Sequence, residues 1–171
     1  PVRRQSEHLA DYVAAADQLR NRDLLYPCFC TRKDILREIE AAGGACEARA
    51  LDARKEDEVT AFLQAADAHA PLEVVIANPG ANVYFPILET TERVFFKVWE
   101  MACKAGFLTG REAARIMLKH GKGSIFFTGA TASMRGGSGY AAFASAKAGL
   151  RAVAQAMARE LGPRNIHVAH L

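Results

Sequence analysis

No glycine occurs before Gly43, so the chain up to that point cannot form the glycine-rich turn that brings backbone N–H groups onto phosphate. Cysteine is sparse, and Cys28, Cys30, Cys46 and Cys103 lack metal-ligand spacing. Cys28 and Cys30 share one face of a predicted strand and read as small buried hydrophobes. Histidine is equally scattered. His167 and His170 lie three apart on a predicted strand and so point to opposite faces, and His8, His69 and His120 add no ligand set. No metal centre is expected. Long apolar runs are missing too, and no signal-peptide pattern opens the chain, so no membrane partner is expected and a cytoplasmic location is. The net charge is only +3, with Lys and Arg not clustered among aromatics, which argues against nucleic-acid binding.

What the 171 residues do contain is apolar mass, at 50% hydrophobic, enough for one core and a single domain over 1–171. Ser6 can cap a helix to about Asn21, and Leu24 to Cys30 reads as a strand weakened by Pro27. A helix from Asp34 should stop at Gly43-Gly44 in a left-handed turn. Cys46 to Leu51 reads as a short strand, followed by a helix from Lys55 to His69 with Val59, Phe62 and Leu63 inward. The continuous apolar run Glu73–Ala77 predicts a strand covered on both faces. A helical stretch from Thr91 to Lys119, with a break near Gly106, leads to a strand over Gly123–Thr128. The last elements are an Ala-rich helix, Gly139–Leu161, stopped by Gly162-Pro163, and a strand from Ile166 to Leu171. Alternating strands and helices predict an α/β fold, a Rossmann-like doubly wound parallel sheet in three layers.

Four motifs occur in order. Asp52 follows a predicted strand. Asn78-Pro79-Gly80 closes Val74–Ala77. Ser145-Ala146-Lys147-Ala148 lies on the Ala-rich helix, and Glu160-Leu161-Gly162-Pro163 precedes Ile166-His167-Val168. Together they resemble the short-chain dehydrogenase/reductase family over about residues 30–171. The resemblance implies an oxidoreductase that moves a hydride between a nicotinamide cofactor and a carbonyl or alcohol. It also implies site residues. The family's catalytic serine, tyrosine and helix asparagine positions fall on Ala130, Phe143 and Cys103, and only Lys147 keeps the usual residue. A phenyl ring has no proton to pass, and positioned proton transfer contributes about 10²–10⁴ in rate. Activity is therefore expected to be weak or absent. Tyr140, Thr131 or Ser133 could supply a substitute hydroxyl, although Tyr140 also reads as a helix-entry residue packing at the loop edge.

On the cofactor side, the resemblance places Asp52 near an adenine, and Asn78, Gly80 and Lys147 along the nucleotide. Arg32 and Lys33 follow the second predicted strand, where basic residues suit a 2′-phosphate, so NADP(H) is favoured over NAD(H). They also read as a solvated pair opening a helix. The missing glycine fingerprint and the stop at Leu171 suggest a sheet incomplete at both ends. Three functions stay open, an oxidoreductase, a catalytically inert binding module and a sensor that binds nucleotide without turnover. The resemblance also implies a homo-oligomer formed through the helices around 103–119 and 139–161.

Overall fold

The computed structural model describes residue 37 and residues 39–171. The chain divides into two compact units, residues 1–49 and 50–171. The expected helix at Ser6–Asn21, the strand at Leu24–Cys30 and the basic pair at Arg32 and Lys33 lie outside the described residues. In the first unit a helix ends at residue 41, with Gly43 left-handed (φ 81°) and its N–H on Glu40 O at 2.9 Å. This is the stop expected there.

The second unit is a parallel sheet with helices on one face. Its elements are α1 (Glu56–His69), β1 (Val74–Ala77), α2 (Glu92–Trp99), α3 (Ala105–His120), β2 (Gly123–Phe127), α4 (Ala141–Leu161) and β3 (Ile166–His170). The strands lie in the order β1-β2-β3, with Val75 beside Ile125 and Ile125 beside Val168. Parallel neighbours need long crossovers, and the helices between the strands supply them. Acidic Glu56, Asp57 and Glu58 open α1, where they suit the positive end of the helix dipole. Thr91 caps α2, its hydroxyl accepting from Val94 N at 3.3 Å. Alanine is the strongest helix former, and α4 uses it on both sides. Its inner stripe of Ala142, Ala146, Leu150 and Ala154 repeats every fourth residue and is buried. Phe127, Ile125, Ile116, Met117, Leu150 and Ile166 form the centre of the core.

Three sequence expectations change. Cys46–Leu51 is not a strand: no ladder partner for it lies among the described residues, and residues 46–50 are exposed. The helical stretch breaks differently, since α2 and α3 are joined by one π-turn, Glu100–Lys104, just before Gly106. Gly106 answers a packing need instead, because a Cβ there would lie 2.5 Å from Leu150 Cδ1. Finally, β1 is not covered on both faces among the described residues. Val75 and Ala77 are buried against the helices, while Val74 and Ile76 are 54% and 63% exposed.

Candidate functional site

Backbone hydrogen bonds continue past the strand ends and align the loops that follow them. Thr128 N donates to Ala77 O (3.0 Å), Leu171 N to Phe127 O (2.9 Å) and Gly129 N to Leu171 O (2.8 Å). Asn78, Pro79 and Gly80 follow β1; Thr128, Gly129 and Ala130 follow β2. These two loops and the first turns of α4 make the mouth of the sheet.

Lys147 reaches this mouth from the inner face of α4. It is only 4% exposed, and its Nζ donates to Thr128 O at 2.6 Å. On its other side is Gly80, where an added Cβ would sit 3.7 Å from Nζ. Burial pushes the ammonium pKa below the usual lysine value, and no carboxylate among the described residues offsets this. An ammonium has three protons, and among the described residues one is used, leaving two for a ligand.

Beside it lies a cleft of about 320 Å³ lined by Ala130, Thr131, Arg135, Tyr140, Phe143 and Asn82, with Ala132, Gly136 and Gly137 between them. Ala130 and Phe143 are half-buried here, two side chains with no polar atom. Ser133 is turned away: it is buried, and its hydroxyl accepts from Ala130 N at 3.1 Å. Thr131 is exposed in the cleft. Tyr140 stands at the N-cap of α4, its ring edge-on to Tyr84 with centroids 5.4 Å apart.

Cys103 does not reach the cleft. It is buried in the π-turn against α4, where a Cβ on Gly149 would lie 3.2 Å from its Sγ, and burial raises its thiol pKa. Asn78 is exposed and lines a separate apolar cleft of about 370 Å³ with Val59, Leu63 and Thr109. Asp52 is engaged elsewhere. Its carboxylate accepts from Arg54 Nε (2.8 Å), Arg54 Nη2 (2.5 Å) and Arg54 N (3.1 Å), which hold its pKa at about 2. Arg32 lies outside the described residues.

The residues matched by the short-chain dehydrogenase family model run from 30 to 171. The chain belongs to the short-chain dehydrogenase family. A short-chain dehydrogenase structure from Rhodopseudomonas palustris is 78% identical, with a TM-score of 0.78, covering 81% of this chain and 65% of that one. A structure from Beutenbergia cavernae, assigned as an NAD(P)-dependent gluconate 5-dehydrogenase and solved with NADP at low occupancy, is 25% identical (TM-score 0.75; 81% of this chain, 55% of that one). The hydroxynaphthalene reductase-like protein Arp2 of Metarhizium majus is 28% identical over 137 residues, 80% of this chain. This short-chain dehydrogenase chain spans about half the length of that relative (51%).

Within the short-chain dehydrogenase, then, the structure brings Lys147, Gly80, Ala130 and Phe143 to one mouth, and it seats Cys103 and Asp52 apart from the cleft. Sequence reasoning missed Asn82 and Arg135, whose only signal is their position in loops after β1 and β2. It also missed His170 as a neighbour of Lys147. The His170 ring lies against Gly129, 2.2 Å from a Cβ placed there. Burial, Arg151 and Lys147 together push its pKa down. His167 faces the other side of the sheet, opposite Ser124.

Proposed function

We propose that this chain is a nicotinamide-nucleotide-dependent oxidoreductase acting on a small carbonyl or alcohol, with the usual serine and tyrosine donors replaced by Ala130 and Phe143. The observation that carries it is the Lys147 ammonium, buried at the mouth of a parallel sheet between Thr128 O and Gly80 with two protons free. That end fits a nucleotide ribose, because Gly80 presents backbone without a side chain and Lys147 supplies the donors. A bound nicotinamide nucleotide supplies the hydride. The cleft beside Lys147 holds the substrate, with Phe143 and Ala130 as its apolar walls.

Turnover is expected to be weak because neither wall carries the donor that a carbonyl oxygen requires, a loss of about 10²–10⁴ in rate. NADP(H) is favoured over NAD(H) on Arg32 and Lys33, and a cytoplasmic location on the lack of a membrane-length apolar helix among the described residues. The test is titration of NADPH and NADH against the melting midpoint, followed by NADPH oxidation with ketones, aldehydes and quinones. A ligand that binds only the native state must raise that midpoint. A flat response at millimolar nucleotide overturns the reading.

A second reading, an inert module that dimerises, draws on Phe96, Trp99 and Phe107, which are exposed along α2 and α3. Sedimentation at several concentrations separates the two. A chain that dimerises and ignores nucleotide supports the module.

A further inference from the structure

We propose that the phenol of Tyr140 is the acid that serves this cleft, in place of the group lost at Phe143. The proposal rests on the oxidoreductase reading above and goes beyond it by naming the proton donor.

The cleft itself narrows the choice. Five of its lining residues, Ala130, Ala132, Gly136, Gly137 and Phe143, offer no side-chain proton at all. The remaining four are the Asn82 amide, the Thr131 hydroxyl, the Arg135 guanidinium and the Tyr140 phenol. An amide and an alkyl hydroxyl donate hydrogen bonds but do not act as acids. A guanidinium stays protonated. A phenol is the one general acid of the set.

Tyr140 is also held in place. Its N–H donates to Gly137 O (3.1 Å), and its carbonyl accepts from Ala144 N (2.8 Å) as the first turn of α4 closes. Gly139, just before it, is left-handed (φ 77°), and a Cβ at that position would lie 2.2 Å from Tyr84 Cε2. Phe85 N donates to Gly139 O at 2.9 Å, so the segment after β1 clasps the start of α4. The Tyr84 ring then meets Tyr140 edge-on. The hinge and the aromatic brace hold Tyr140 at the cleft that Ala130 and Phe143 also line.

The proton balance is simple. As the carbonyl carbon receives hydride from reduced nicotinamide nucleotide, the carbonyl π pair moves to oxygen. That oxygen takes the proton from Tyr140 Oη, so one O–H bond breaks and one forms. The phenolate recovers a proton from water, which it can reach because Tyr140 is half-buried in an open cleft.

The experiment uses the full chain with NADPH and a panel of small ketones, aldehydes and quinones. It compares the parent with Tyr140→Phe, which keeps the ring contact to Tyr84. The expected result is a kcat lowered about 100-fold or more, with NADPH affinity and melting midpoint unchanged. A loss of less than about tenfold overturns the proposal. So does a loss matched by falling NADPH affinity or melting midpoint, which would make Tyr140 structural. A parent that binds NADPH but turns over none of the panel overturns this inference while leaving the nucleotide reading intact. A parent that does not bind NADPH removes both.

Discussion

Among the described residues, Lys147 and Asp52 are the charged ones that the family likeness brings to a nucleotide, and they are held in opposite ways. Lys147 is buried and, among the described residues, bonded only to a backbone carbonyl, with its ionised form disfavoured by its surroundings. Asp52 sits in a half-open loop with its carboxylate saturated by the Arg54 side chain and backbone N–H, and its ionised form is favoured. A buried charge with unused donors is costly to keep and gains from a ligand. A charge already satisfied by a neighbour gains little. On the nucleotide binding proposed above, the Lys147 end gains from a ligand, whereas the Asp52 carboxylate is held by its own loop at the entry to α1. Asp52 N reinforces this by donating to Glu58 Oε2 at 2.7 Å.

The sharpest way to extend the comparison is to restore an acid next to the poised lysine. In a Tyr140→Phe background, Phe143→Tyr should raise turnover by about 100-fold, read as NADPH oxidation with the carbonyl panel. No gain would mean that the cleft does not hold its substrate against position 143. Next in size is Lys147→Met, which removes the free donors. Hydrogen bonds from charged groups contribute about 1.5–3 kcal/mol, so nucleotide affinity should fall about 10- to 100-fold by calorimetry. If affinity is unchanged, the lysine is not the ribose anchor and the comparison breaks. The same variant has a pH signature. The folded-state pKa of Lys147 lies below its unfolded value, so the fold opposes protonation. As pH rises toward 10.5, the parent should gain stability relative to Lys147→Met.

A smaller effect tests the seat of the lysine. Gly106→Ala would press a methyl into Leu150, one turn along α4 from Lys147, and should cost about 1–3 kcal/mol in chemical denaturation. The smallest effect is at the other pole. The Asp52 carboxylate should stay ionised down to about pH 2 when followed by carboxyl-carbon NMR. Its contribution to stability is complete above the ordinary value of 3.8 and lost as pH falls through about 2, because the folded pKa is the lower one. Asp52→Asn should abolish that loss while leaving nucleotide affinity unchanged. A fall in affinity would make Asp52 part of the site after all.

How much of this could be read from residues alone differs between pattern and partnership. The β1, β2 and β3 runs and the Ala-rich α4 were legible because each is marked by its own composition. The extended segment at Cys46–Leu51 was not, since a strand is made by its neighbour. Cover on one face or two leaves the same apolar run at Val74–Ala77, so that too was hidden. The break near Gly106 was signalled by a glycine whose real role is to admit Leu150. The π-turn beside it is a shift in backbone bonding, which no residue type announces. At the site, motif order placed Lys147, Ala130 and Phe143. That Arg54 captures Asp52, or that Ser133 is turned to Ala130 N while Thr131 faces the cleft, depends on torsions that spacing does not carry.

The π-turn at Glu100–Lys104 amounts to one surplus residue inserted into a continuous rod. If the same residues ran as unbroken α-helix instead, everything past them would be rotated by about 100° relative to α2. Leu150 would then confront a neighbour of Gly106 that has a side chain, and the two long helices would be forced apart. The irregularity therefore fixes the rotational phase on which close approach of the Lys147 helix depends.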